Sequence, residues 1–205
     1  MPLQGKTKRE VVCEFRNAEI LDAARRVFAR KGFSAASVED IAQAAGLAKG
    51  TLYLYYPSKH AIYWAALNNG LVELSRELKR RVEAEATAGA KIRRFIETKI
   101  VYFEENRDFV KIYYAEFGNA LTHPALFSKE FKDFYLEQLG ILKSILQEGI
   151  KRKSIRKVNT DVAACAIFDI TRGVITQRLL GWSKTNIQED ITLLFDLTWK
   201  GLACP

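Results

Sequence analysis

Cysteine is scarce in this chain. Cys13, Cys165 and Cys204 are odd in number and far apart, and no Cys-x-x-Cys or Cys/His ligand spacing occurs. That points to reduced, structurally incidental thiols and to no bound metal. There are only two histidines, His60 and His123, and neither pairs with an evident nucleophile or carboxylate. A phosphate-cradling glycine loop is also missing. The chain is therefore expected not to be an enzyme and to need no cofactor. Four prolines and twelve glycines in 205 residues leave room for long helices. No apolar run approaches the roughly 18 residues of a membrane span. The opening MPLQGKTKRE lacks the apolar core of a signal peptide, so a cytoplasmic location and no membrane partner are expected. Sustained period-2 alternation, internal repeats and low-complexity tracts are absent too. The expected class is all-α, with about nine helices.

Positive charge is what the chain has in surplus. Lys and Arg number 32 against 24 Asp and Glu, for a net charge of +8, which suits an anionic partner such as nucleic acid. Residues 1–60 hold ten basic against six acidic side chains, and the remainder holds 22 against 18. Net charge alone therefore does not locate a site.

Residues 1–16 read as a basic N-terminal arm. Lys6, Lys8, Arg9 and Arg16 offset Glu10 and Glu14, and the arm is either a solvated terminus or a segment that reaches DNA phosphates or the minor groove. From Asn17 an apolar stripe begins, with Ile20, Ala23, Ala24, Val27 and Phe28 on one helical face. Gly32 closes that helix. Ser37, with Asp40 three residues on, opens the next as an approximate capping box. Pro57 and Ser58 break the chain again. A long helix from about Lys59 to Ala86 follows, carrying Leu67, Leu71, Leu74, Leu78 and Val82 on one face. Further helical stripes run to the C-terminus, with Thr160 as one expected cap and KRKSIRK (151–157) as a solvated connector or a second DNA contact.

The stretch SVEDIAQAAGLAKGTLYLYYPSK (37–59) carries the functional signal. Ala42 is small enough for two helices to approach, Gly46 can take the positive φ of a sharp turn, and Leu47 and Leu52 plug the space between. This predicts a helix-turn-helix. Its second helix leaves Lys49, Gly50, Thr51, Tyr53, Tyr55 and Tyr56 to meet phosphates or base edges. Ser37 and Lys59 flank them, Lys59 as a point charge toward a phosphate.

The run ILDAARRVFARKGFSAASVEDIAQAAGLAKGTLYLYYPSK (20–59) resembles the DNA-binding domain of TetR-family (tetracycline-repressor-like) transcriptional regulators. The alanine-rich first helix, Ser37–Ile41–Ala42, Gly46, Gly50-Thr51-Leu52-Tyr53 and Ser58-Lys59 match in order, over about a quarter of the chain. Two positions depart from the pattern: Ala48 replaces the usual capping Ser, and His60 replaces a common acidic residue. The resemblance implies a helix-turn-helix DNA-binding domain (17–62) and a C-terminal domain for effector binding and dimerisation (63–205). It also implies a homodimer on a pseudo-palindromic operator, usually a repressor, released by a small effector. The alternative is an effector-independent DNA-binding or architectural protein.

Aromatic residues crowd the middle of the chain, so an apolar or aromatic effector is expected. The candidate lining is Tyr102, Phe103 and Phe117, then Phe127, Phe131 and Phe168, with His123, Arg172 and Gln177 as polar groups. The dimer face is expected on the last two helices. Ala163, Ile167, Thr171, Val174 and Arg178 mark one, and Ile191, Leu194, Phe195, Thr198 and Leu202 the other.

Overall fold

A threonine sets where the first helix begins. The computed structural model describes residues 7–123 and 128–204. In it the Thr7 hydroxyl accepts from the Glu10 amide while the Glu10 carboxylate accepts from the Thr7 amide. This capping box starts α1 (Lys8–Ala35) well ahead of Asn17. Residues 8–16 of the expected arm are thus helical; Lys6 lies outside the described residues. Gly32, at φ 74°, interrupts the helical backbone of α1 near its end, as a C-terminal glycine does.

Eight more helices follow among the described residues: α2 (Val38–Ala44), α3 (Lys49–Tyr55), α4 (Lys59–Glu83), α5 (Ala88–Glu105), α6 (Arg107–Thr122), α7 (Lys129–Lys151), α8 (Thr160–Leu179) and α9 (Ile187–Leu202). The architecture is all-α, and no described residue belongs to a strand beyond one isolated bridge. The chain divides into two compact units. The first holds residues up to Gly70 together with Asp108–Thr122, and the second holds the rest; α4 runs through the boundary.

In the first unit, Ile20, Ala23, Ala24, Val27 and Phe28 of α1 are buried with Ile41, Leu52, Ile62 and Ala66. Tyr63 stands edge-on to Phe28 at 5.2 Å and to Phe33 at 5.1 Å. Burial pushes the Tyr63 phenol and the Glu116 carboxyl upward. The phenol donates to Glu116 at 3.4 Å. Gly70 lets α6 close on α4, because a Cβ there would meet the Phe109 ring at 2.3 Å.

In the second unit α5 packs against α7, α8 and α9, and α8 against α7 and α9. Its core includes Ile92, Phe95 and Phe103 of α5, Phe131, Leu142 and Leu146 of α7, Phe168 of α8 and Ile191 of α9. Asn159, rather than the expected Thr160, caps α8; its side chain accepts from the Asp161 and Val162 amides. The 151–157 segment is no free connector. Ile155 is buried and bridges Ala203, and the Arg156 guanidinium donates to the Gly201 carbonyl at 2.7 Å. No described helix is long and apolar enough to cross a membrane.

Candidate functional site

The helix-turn-helix is built from local chemistry. Ser37 caps α2: its hydroxyl accepts from the Asp40 amide at 3.0 Å, and Asp40 returns a bond to the Ser37 amide. Lys31 donates to Asp40 at 2.7 Å and ties α1 to α2. That bond, then those to Ser37, hold the Asp40 carboxyl at about 2. Gly46, at φ 65°, makes the turn, and the Leu47 amide donates back to Ala42 at 2.9 Å. Leu52 is fully buried and pins α3, while Leu47 is only half-buried. Ala48 provides no side-chain cap, which costs α3 about 1 kcal/mol relative to a serine.

The residues expected to read DNA divide into two groups. Lys49, Gly50 and Tyr53 are exposed on α3, with Thr51 and Tyr55 partly so. Lys49 reaches Glu39 at 3.3 Å across an exposed pair, an interaction weak enough to exchange for a phosphate. Gly50 has nothing within 4 Å of where a Cβ would stand, and its φ lies outside the left-handed region. The fold itself does not require glycine there. Leu54, not among the expected residues, is 84% exposed on the same helix; an aliphatic group so placed suits a thymine methyl. Its sequence signal was its position two residues from the buried Leu52, off the core face.

The second group is occupied within the protein. The Tyr56 hydroxyl donates to Asn17 and holds the end of α3 to α1, and burial pushes that phenol up. The Lys59 ammonium donates to the carbonyls of Phe33, Ser34 and Ala36 at 2.8, 3.2 and 2.9 Å, and lies 4.6 Å from the Phe33 ring centroid. Three carbonyls at the end of α1 thus take all three ammonium protons, which corrects the expectation of a bare point charge. The Ser37 hydroxyl is committed to its cap. His60 is exposed and accepts from the Trp64 indole at 2.7 Å.

The family model for bacterial regulatory proteins of the tetR family matches residues 20–66, the span of this geometry. The chain belongs to the TetR family. It is a DNA-binding transcriptional regulator. Among curated relatives, the HTH-type transcriptional regulator YvdT of Bacillus subtilis is 25% identical over 185 residues, covering 90% of this chain and 89% of that protein. The HTH-type transcriptional repressor KstR2 of Rhodococcus jostii is 27% identical over 145 residues, covering 68% and 70%. Among solved structures, the regulator FadR of Bacillus subtilis in complex with stearoyl-CoA shares the fold, with a TM-score of 0.73 at 22% identity over 90% of this chain and 98% of that one.

In this TetR-family regulator the residues expected to meet an effector are dispersed. Phe103, Phe131 and Phe168 are buried in the second unit. Arg172 is half-buried and pairs with Asp169 at 3.0 Å. Tyr102 instead lines a polar cleft of about 280 Å³ with Glu73, Arg76, Glu77, Arg81 and Thr98, its hydroxyl 3.2 Å from Glu73. Gln177 and His123 are exposed and line no core. Phe117 belongs to the first unit, and Phe127 lies outside the described residues. The buried polar side chains that escaped the sequence reading include Lys99 and Gln138. Lys99 had a signal, since it falls in register with the apolar stripe of α5.

Much of the expected dimer face is covered within the chain itself. Ile167, Thr171, Ile191, Leu194, Thr198 and Leu202 are buried in the chain's own core, with Ala163, Val174 and Phe195 partly covered. Arg178 is a clamp within the unit, donating to Glu104 at 3.1 Å and to Asp190 at 2.8 Å. The exposed apolar residues lie elsewhere: Val162 and Ile170 on α8, Leu193 and Leu197 on α9, and Trp182 between the two helices. Periodicity located the two helices but picked out the stripe that the chain itself covers. Among the described residues no group of three or more His, Cys, Asp or Glu is placed to hold a metal.

Proposed function

We propose that this regulator represses transcription as a homodimer on a pseudo-palindromic operator and leaves it when a small, apolar-bodied effector enters the second unit. In this reading residues 17–62 bind DNA, residues 63–205 bind effector and form the dimer, and residues 1–16 add phosphate contacts. It works in the cytoplasm, where its DNA partner is. Gly50 carries the DNA assignment. A glycine in an exposed helix costs about 1 kcal/mol relative to alanine, and nothing inside the fold demands it. The reason for it lies outside the chain, where a close-approaching backbone needs the space.

Support for a dimer comes from the exposed apolar stripes of α8 and α9, which make a face that monomeric soluble proteins rarely leave uncovered. A twofold pair would set two α3 helices on successive major grooves. Support for repression and for an apolar ligand comes from relatives, one named as a repressor and one bound to stearoyl-CoA. Effector and DNA would then oppose each other by equal coupling free energies.

Selection of binding sites from random duplex DNA with the full chain, followed by salt-controlled anisotropy titration, tests this reading. Two chains per selected site are expected. Tyr53→Ala should lower affinity at least tenfold with an unchanged melting temperature, because Tyr53 is exposed. Selection of no sequence over bulk DNA, or equal affinity in the variant, would sink it.

A further inference from the structure

Lys99 stands on the inward stripe of α5 with Phe95, Ile96, Ile100 and Phe103, and is 1% exposed. Among the described residues no hydrogen bond or ion pair reaches its ammonium. Its neighbours are rings, with the Phe168 centroid at 3.5 Å, Phe95 at 5.7 Å and Phe103 at 5.9 Å. Helix α7 contributes a second such group. Gln138 is fully buried, and neither its amide nitrogen nor its amide oxygen has a partner among the described residues. It follows Tyr135 by one turn, and the Tyr135 ring stands edge-on to Phe168 at 5.0 Å. Phe168 therefore neighbours both Lys99 of α5 and Tyr135 of α7. Buried amides are otherwise hydrogen-bonded in folded proteins.

The surroundings are short of negative charge. Burial first, then the charge of Arg172, pull Lys99 well below the ordinary lysine range, and Asp169 only partly opposes them. Asp169 is already held by Arg172. On α7 the titratable neighbour is Tyr135, whose phenol burial pushes up. Helix α9 meets α5 through Phe195 over Arg93 and Trp199 against Gly89. Helix α4 offers Glu73, which is engaged with Tyr102.

We propose that Lys99 and Gln138 together receive the carboxylate of a monoanionic acid whose apolar body lies among Phe95, Phe103 and Phe168. This rests on reading the second unit as the effector-binding part. One ammonium and one amide N–H are donors enough for one carboxylate. A dianionic phosphate would face a single unmatched cation, and an alcohol would leave that cation unpaired. Burial weakens the hold of the Lys99 amine on its proton, and a carboxylate beside it favours the charged form, so binding of the acid is linked to proton uptake.

The test is calorimetric titration of the full chain with octanoate, dodecanoate and 4-phenylbutyrate, and with the matching alcohols. Measurement in buffers of different ionisation enthalpy counts the protons. At least one acid should bind at least tenfold more tightly than its alcohol, with net proton uptake. Lys99→Met should abolish both the preference and the uptake. Gln138→Leu should reduce the preference and keep the uptake. Both variants should still bind the selected DNA site, which shows that they fold. An unchanged preference and uptake in Lys99→Met, or no acid binding at all, overturns the assignment. DNA release by some other ligand, with Lys99→Met unaltered, would overturn this inference and leave the regulatory reading standing.

Discussion

Lys59 and Lys99 show how differently the two units treat a covered charge. In the first unit Lys59 meets three carbonyls at the end of α1 and closes a joint between helices. Around it the starts of α2 and α4 are answered locally: the Asp40 amide donates to the Ser37 hydroxyl and the Ala61 amide to the Ser58 hydroxyl. In the second unit Lys99 is more deeply buried and meets ring faces. A covered cation with its acceptors present is part of the scaffold. One without them costs stability until something supplies the acceptor. The first unit is finished by itself, and the second holds an open polar demand in its core.

Three substitutions can break or sharpen that contrast. The largest effect belongs to Lys59→Ala. Three carbonyls lose a charged donor, and the unfolding free energy should fall by about 2 kcal/mol, measured by urea denaturation. A loss of DNA affinity with full stability would instead return Lys59 to the phosphate-contacting group. Next comes Lys99→Met. The free lysine binds its proton more weakly folded than unfolded, so the unfolded chain holds more protons above the depressed folded value. Stability of the natural chain should therefore rise with pH up to about 10.4 and level off beyond. Lys99→Met should lose this contribution to the slope, which is at most about 1.4 kcal/mol per pH unit, and melt at or above the natural protein at pH 7. An identical pH profile would mean that Lys99 already has its anion. The smallest effect has the opposite sign for stability and binding. Gly50→Ala should raise stability by up to about 1 kcal/mol while lowering affinity for the selected DNA. Affinity that held steady would remove the outside reason for the glycine.

What the residues disclosed in advance followed the range of the interactions. The helix-turn-helix was legible because its devices are local: a capping box within four residues, a glycine turn, and Leu52 as plug. Lys59 was read with the wrong partner because its acceptors lie 23 to 26 residues back. On α8 and α9 apolar residues occupy two faces, Ile167 and Ile191 inward, Ile170 and Leu193 outward. Period alone cannot say which face the chain covers for itself. Lys99 stands in register with the apolar stripe of α5, but that it and Gln138 are buried without hydrogen-bond partners among the described residues emerges only when α5, α7 and α8 are assembled. The segment 151–157 looked solvated because five of its seven residues are basic, although Ile155 anchors it.

Helix α3 is seven residues long, uncapped, and held through Leu52, too short to persist alone. It is helical only as a guest of α1 and α2. Its outward positions, Lys49, Gly50, Tyr53 and Leu54, therefore contribute little to keeping it folded. Selection can rewrite them for a new operator without first repairing the scaffold, and descendants of this chain could change the genes they answer to by a few exposed substitutions at almost no structural penalty.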